Sequence, residues 1–78
     1  MRDLSAIGAL GVVTVSTRGT SGTGEVLVSF RGGSESFLAW SDEPLPKGTK
    51  IMVVDVVAPR TVHVIPQSEA GLSHPVDF

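Results

Sequence analysis

The stretch that decides the fold is Lys50-Ile51-Met52-Val53-Val54-Asp55-Val56-Val57-Ala58, in which one carboxylate lies among large apolar side chains. β-Branched residues favour an extended strand over a helix, because their side chains pack well on a pleated surface. The continuous apolar run indicates that part of this strand is buried on both faces. Gly48 before it and Pro59 after it break regular structure. The sequence therefore predicts a core strand over residues 50–58.

Other short segments carry the period-two alternation of half-buried strands. In one of them Val26, Val28 and Phe30 share a face, and the next begins after a Gly32-Gly33 turn that is typical of a hairpin. Five strands are too few for two packed sheets. The predicted fold is all-β, a small five-stranded Greek-key barrel of the OB type. Its other strands are predicted at residues 11–17, 25–30, 36–40 and 61–65.

Length and composition exclude several classes of protein. The chain has 78 residues, of which 41% are hydrophobic and 18% charged, so it is globular and forms one small domain or part of one. A formal net charge of -2 argues against binding driven by phosphates, which requires a basic face. There is no cysteine, so neither a disulfide nor a thiolate metal site is available. The chain as given is predicted to be soluble, since no apolar run approaches the ~20 residues of a membrane span.

The predicted organisation has three parts. Residues 1–10 are a linker or N-terminal extension, residues 11–66 form the barrel, and residues 67–78 are a flexible polar tail. Both ends are expected to fray. Within the barrel, the glycine-rich residues 18–24 are expected to form a flexible loop. The proline-containing residues 41–48 are expected to cross the fold as a connection.

Five segments of the sequence form a pattern that can be compared with known families. They are Ile7-Gly8-Ala9-Leu10-Gly11-Val12-Val13, Gly24-Glu25-Val26-Leu27-Val28, Ala39-Trp40-Ser41, residues 46–57 beginning Pro46-Lys47-Gly48-Thr49, and Thr61-Val62-His63-Val64-Ile65-Pro66. Together they resemble the C-terminal soluble domain of NfeD-like proteins. The resemblance implies an OB-type barrel in a membrane-tethered protein that partners stomatin- or flotillin-type scaffold proteins, with the domain on the cytoplasmic side. A serine protease domain occurs only in longer members. Leu4, Ile7 and Leu10 would then be the remains of a linker from a membrane span, or else would pack under the barrel.

No catalytic or metal-binding constellation is visible in the sequence. His63 lies mid-strand and His74 lies in the tail, and without cysteines or a carboxylate cluster they do not make a zinc site. Ser21 lacks the spacing of a nucleophile elbow. Asp55 is expected to face outward, paired with Lys47, Lys50 or Arg60, because a buried unpaired carboxylate is costly. We therefore predict no enzymatic activity, no cofactor and no metal.

Two functional classes remain open. The first is a protein-interaction module, whose candidate contact is either Trp40 with the adjoining Ser41, Asp42 and Glu43, or the loop from Arg18 to Gly24. Trp40 is by default a core residue, but tryptophan at a barrel rim is also typical of binding hot spots. The alternative is a single-stranded nucleic-acid-binding OB-fold domain, which the scarcity of aromatic and basic residues disfavours. The interaction module is the preferred hypothesis, with no nucleic acid as partner and an undetermined oligomeric state.

Overall fold

The computed structural model describes residues 6–30 and 32–69, and these contain five strands. They pair in the order β1-β2-β3-β5-β4 and close into a barrel, because β4 also pairs with β1. The β3–β5 pairing is parallel and the other four are antiparallel. The predicted five-stranded OB-type barrel is thereby confirmed. The strands are β1 (Leu10–Val15), β2 (Gly24–Phe30), β3 (Gly33–Trp40), β4 (Lys50–Ala58) and β5 (Thr61–Pro66).

The barrel interior is filled mainly by aliphatic side chains from alternate strand positions. This alternation is clearest in β2, where Val26 and Val28 are fully buried and the residues between them are exposed. Phe30 and Phe37 are partly buried against this core, with ring centroids 6.1 Å apart. Each fully buried valine contributes about 1.5–3 kcal/mol through removal of apolar surface from water. The buried apolar residues are Ala6, Val13, Val26, Val28, Ala39, Leu45, Ile51, Val53, Val56, Val62 and Val64.

The β2–β3 hairpin turns one residue earlier than its glycine pair indicates. Phe30 pairs with Gly33, so Gly33 is the first residue of β3 rather than part of the turn. Gly32 carries the positive φ, at 91°, that a tight turn requires. As a result β3 is three residues longer at its N-terminal end than the predicted strand over residues 36–40.

Segments just outside the strands are bonded to the barrel. Ala6 is buried, the Gly8 amide donates to the Val53 carbonyl at 2.7 Å, and the Val53 amide donates to the Ala9 carbonyl at 2.9 Å. After β5, the Gln67 amide donates to the Lys50 carbonyl at 2.9 Å. Ala6, Gly8, Ala9 and Gln67 are thus joined to the barrel by burial or by backbone hydrogen bonds. Residues 1–5 and 70–78, with Leu4 and His74, lie outside the described residues.

Asp55 faces outward on β4, as predicted, but its partner is different. Its Oδ1 accepts a hydrogen bond from the Val56 amide at 2.8 Å. Arg60, one of its predicted partners, instead binds the Glu35 carboxylate at 2.7 Å. Within the described residues Asp55 forms no ion pair, so the predicted pairing with Lys47, Lys50 or Arg60 is wrong. The same residues include no helix of the length and apolar character that crossing a bilayer requires.

Candidate interaction site

A surface groove of about 340 Å³ lies beside Trp40 at the C-terminal end of β3. Ala39 is fully buried, and because strand side chains alternate, its neighbour Trp40 points to the outside of the barrel. Trp40 is 37% exposed, so the default expectation of a core residue is wrong. The lining residues are Thr20, Trp40, Ser41, Asp42, Val57 and His63.

Strand register places an aromatic ring, an imidazole and a carboxylate in one row across the outer face. Trp40 pairs with His63 on β5, and His63 pairs with Asp55 on β4. Directly paired residues point to the same side of a sheet. Val57, 45% exposed, follows Asp55 where the β4 register shifts. Apolar surface and carboxylates therefore meet at this end of the barrel.

The rim of the groove is held by a chain of buried hydroxyl groups. Ser41 Oγ donates to the Glu43 carbonyl at 2.6 Å, which uses its only proton. Thr17 Oγ1 must therefore donate in the 2.6 Å contact with Ser41 Oγ, and it accepts from the Leu45 amide at 2.8 Å. Every member of this chain is satisfied, which fixes the loop that carries Asp42 relative to the end of β1.

The loop predicted to be flexible packs against the same rim. Residues Gly19–Ser21 form a short 3-10 turn, and Gly19 is buried with a φ of 64°. A Cβ at Gly19 would lie 3.2 Å from Pro44 Cδ and would require a left-handed backbone, so glycine is favoured here both by the close approach and by the backbone conformation. This contact brings Thr20 to the groove. The two loops that the sequence offered as separate candidate contacts thus form one surface.

The predicted contact residues take different positions in this surface. Trp40 and Asp42 line the groove, and Asp42 Oδ1 lies 3.3 Å from His63 Nε2. Glu43 is exposed next to Asp42, whereas Ser41 is 2% exposed and orders the loop from beneath. Arg18 is exposed, and its guanidinium lies against Gly22, where a Cβ would be 3.2 Å from Nε.

Two groove residues, Val57 and His63, were not among the predicted contacts, whereas Thr20 lies in the predicted contact loop from Arg18 to Gly24. The outward position of Trp40 could have been predicted from the alternation within residues 36–40. Phe37 and Ala39 share the inner face, so Trp40 lies on the outer face. His63 could have been found only from the parallel β3–β5 pairing, which joins residues far apart in the chain.

A second apolar groove of about 290 Å³ lies elsewhere on the barrel, on the outer face of β1, β2 and β4. Leu27 and Leu10 are 37% and 40% exposed there, and Lys50 supplies a positive charge. Its lining residues are Leu10, Gly11, Val12, Leu27, Ser29, Lys50 and Gln67. The two grooves therefore differ in the sign of the charge beside them.

The groove residues combine apolar surface with a hydrogen-bond acceptor, which are the groups that bind another molecule. Trp40 and Val57 present apolar surface, and Asp42 presents an acceptor whose side chain is 81% exposed. No cluster of three metal-ligating side chains occurs in residues 6–30 and 32–69.

Comparison with known proteins identifies the family. The family model described as the NfeD C-terminal domain matches residues 10–65, which span all five strands apart from Pro66. The chain belongs to the NfeD family. A solved structure, the solution structure of the soluble domain of the NfeD protein YuaF from Bacillus subtilis, is similar at 33% identity and a TM-score of 0.63. The match covers 76% of this chain and 70% of that one. No curated protein sequence matches the chain.

Proposed function

We propose that this NfeD domain is a non-enzymatic protein-interaction module that binds a stomatin- or flotillin-type membrane scaffold. The proposed partner class comes from the family resemblance, in which the soluble barrel accompanies such scaffolds. In the same proposal, a membrane anchor outside the given sequence holds the domain at the cytoplasmic face.

The observation that carries the proposal is the position of Trp40. The only tryptophan of the chain stands outside an aliphatic core, 37% exposed, against a groove whose rim is fixed by buried hydrogen bonds. A large rigid side chain on a preorganised surface binds a partner with little loss of entropy, which is why tryptophan is enriched in hot spots. Ordering of the rim by Thr17 and Ser41 reduces the cost of binding further.

The test uses the 78-residue chain and the soluble part of the stomatin- or flotillin-type protein encoded in the same genome. Biolayer interferometry compares the unmodified chain with Trp40→Ala and with Leu27→Ala. Leu27 is the matched control, because it is also 37% exposed but lies at the second groove. Trp40→Ala is expected to weaken binding about 30-fold, equivalent to about 2 kcal/mol, and Leu27→Ala by less than about 3-fold.

Equal loss in both variants, or no loss in Trp40→Ala, would contradict the Trp40 groove as the binding surface, and an unmodified chain that does not bind the scaffold would contradict the proposed function. A single-stranded oligonucleotide serves as the counter-probe for the other class of function. We expect no measurable binding of it at about 0.15 M salt, because the groove is lined by an aspartate and its lining within residues 6–30 and 32–69 includes neither lysine nor arginine. Micromolar oligonucleotide binding would overturn the interaction module in favour of a nucleic-acid-binding barrel.

A further inference from the structure

At two places in the chain an aromatic residue and an acidic residue lie two positions apart in sequence. At one of these places an arginine side chain contacts both residues. The pair that an arginine contacts is Glu35 and Phe37 on β3. Arg60 Nη1 lies 2.7 Å from Glu35 Oε2, and its guanidinium carbon lies 5.7 Å from the centre of the Phe37 ring. Its Nη2 donates to the Ser36 carbonyl at 3.0 Å. One guanidinium thus serves an acid, an aromatic face and a carbonyl together.

The second pair, Trp40 and Asp42, is contacted by no guanidinium of the described residues. In the part of the chain that the structure describes, the ion-pair partner of Asp42 is the His63 imidazole, at 3.3 Å and charged only when protonated. Among the residues that the structure describes, neither lysine nor arginine lines the groove. Arg18, on the neighbouring loop, lies against Gly22. The exposed Asp42 carboxylate and the Trp40 indole are therefore available to a cation from another molecule.

We propose that Trp40 and Asp42 form a receptor for an arginine side chain of the partner, and that the adjoining groove takes the aliphatic residue beside it. This inference rests on the proposed function, since it names the chemistry that the partner brings to the same site. Arginine fits better than lysine, because its planar guanidinium stacks on an indole while its N–H groups bond a carboxylate. The aliphatic side chain packs against Val57 and Thr20.

The charges around the site favour the same kind of ligand. Asp42, Glu43 and Asp55 are all exposed, and none of them pairs with a lysine or arginine in residues 6–30 and 32–69. At the second groove the charged lining residue is Lys50, so an acidic segment would be favoured there. A basic, apolar segment of the partner is therefore directed to the Trp40 groove.

The probe is a synthetic octapeptide, Gly-Ser-Arg-Leu-Leu-Arg-Ser-Gly, titrated into the 15N-labelled chain and followed by NMR. The indole N–H of the single tryptophan reports directly on the site. We expect shifts that saturate at Trp40, Thr20, Val57 and His63. Two matched peptides replace both arginines by lysine or by glutamate. The lysine peptide is expected to bind roughly 3-fold more weakly, and the glutamate peptide not to shift the Trp40 indole.

Variants of the chain separate this receptor from a general charge effect. Asp42→Asn removes an exposed charge with little change in shape. It is expected to lower the affinity for the arginine peptide roughly 5-fold. The matched control is Glu35→Gln, which removes a carboxylate that Arg60 already occupies and should leave peptide affinity unchanged. Equal weakening by both variants, equal affinity for the lysine peptide, or shifts centred on Leu27 would overturn the proposal.

Repeating these variants with the scaffold protein distinguishes the two proposals. If Trp40→Ala abolishes scaffold binding and Asp42→Asn leaves it intact, the interaction module stands and the arginine receptor falls. If scaffold binding survives both substitutions, the chain binds the scaffold through another surface, and only an unmodified chain that fails to bind the scaffold would overturn the proposed function. The titration with the arginine peptide still tests the Trp40–Asp42 receptor in that case, because it is done without the scaffold.

Discussion

Replacing Thr17 by valine removes the centre of the hydrogen-bonded chain beneath the groove with almost no change in volume. Thr17 is 3% exposed, and its hydroxyl accepts from the Leu45 amide and donates to Ser41. In Thr17→Val the buried Leu45 amide has no acceptor, which costs about 1–3 kcal/mol. Ser41 Oγ loses a donor but keeps its bond to the Glu43 carbonyl. We expect a net loss of about 2 kcal/mol.

This loss is large for a domain of this size. At about 0.05–0.15 kcal/mol per residue, a chain of 78 residues has roughly 4–12 kcal/mol of total stability. For such a domain 1 kcal/mol shifts the Tm by about 4–8 °C, so Thr17→Val should lower it by about 8–16 °C. The variant should still fold, because the Thr17 amide continues to donate to the Leu45 carbonyl at 2.9 Å.

The assay is urea and thermal unfolding followed by circular dichroism, with Trp40 fluorescence as a local probe. Thr14→Val is the control, since the Thr14 side chain makes no hydrogen bond within the described part of the chain, and it should change stability by less than about 0.5 kcal/mol. In the double variant Thr17→Val with Ser41→Ala, the cost should fall short of the sum of the single costs by about 1 kcal/mol. A Thr17→Val protein as stable as Thr14→Val, or strict additivity with Ser41→Ala, would refute the reasoning.

Further predictions concern the core, a close backbone approach and a turn. Val53→Ala leaves a cavity at a fully buried position and should cost about 2 kcal/mol in urea unfolding; a neutral result would mean that the core is misassigned. Gly24→Ala places a Cβ in steric overlap with the Val15 carbonyl oxygen and should prevent β1–β2 closure, detected as loss of dispersed NMR signals, whereas Gly33→Ala meets no atom of the described residues within 4 Å and should be silent. Arg60 has a φ of 54°, so Arg60→Gly should be more stable than Arg60→Ala by about 1 kcal/mol, and the reverse order in thermal unfolding would contradict the role of the turn.

The strands were largely predictable because their signals are local. The apolar run gives β4 its bounds, and alternation gives β2 within one residue. The prediction for the first strand was wrong at its end, since β1 stops at Val15 rather than at residue 17. Thr17 leaves the ladder because its amide and hydroxyl both bond Leu45 in a distant loop. No local pattern encodes that contact.

The candidate site was only partly predictable for the same reason. Trp40 and Asp42 stood out by residue type, but the groove depends on contacts between distant parts of the chain. His63 reaches Trp40 through a parallel pairing of only three residue pairs, and Thr20 reaches the groove because Gly19 packs on Pro44. Barrel closure, rather than any sequence motif, brings these residues together.

The most direct test of the Trp40 surface as the partner-binding site is NMR mapping of the bound partner. The 15N-labelled chain is titrated with the unlabelled soluble part of the stomatin- or flotillin-type protein from the same genome. We expect the largest shift changes at the Trp40 indole, Thr20, Asp42, Val57 and His63, with Leu10 and Leu27 unchanged. Changes centred on Leu10 and Leu27, or no changes at saturating partner, would contradict this assignment.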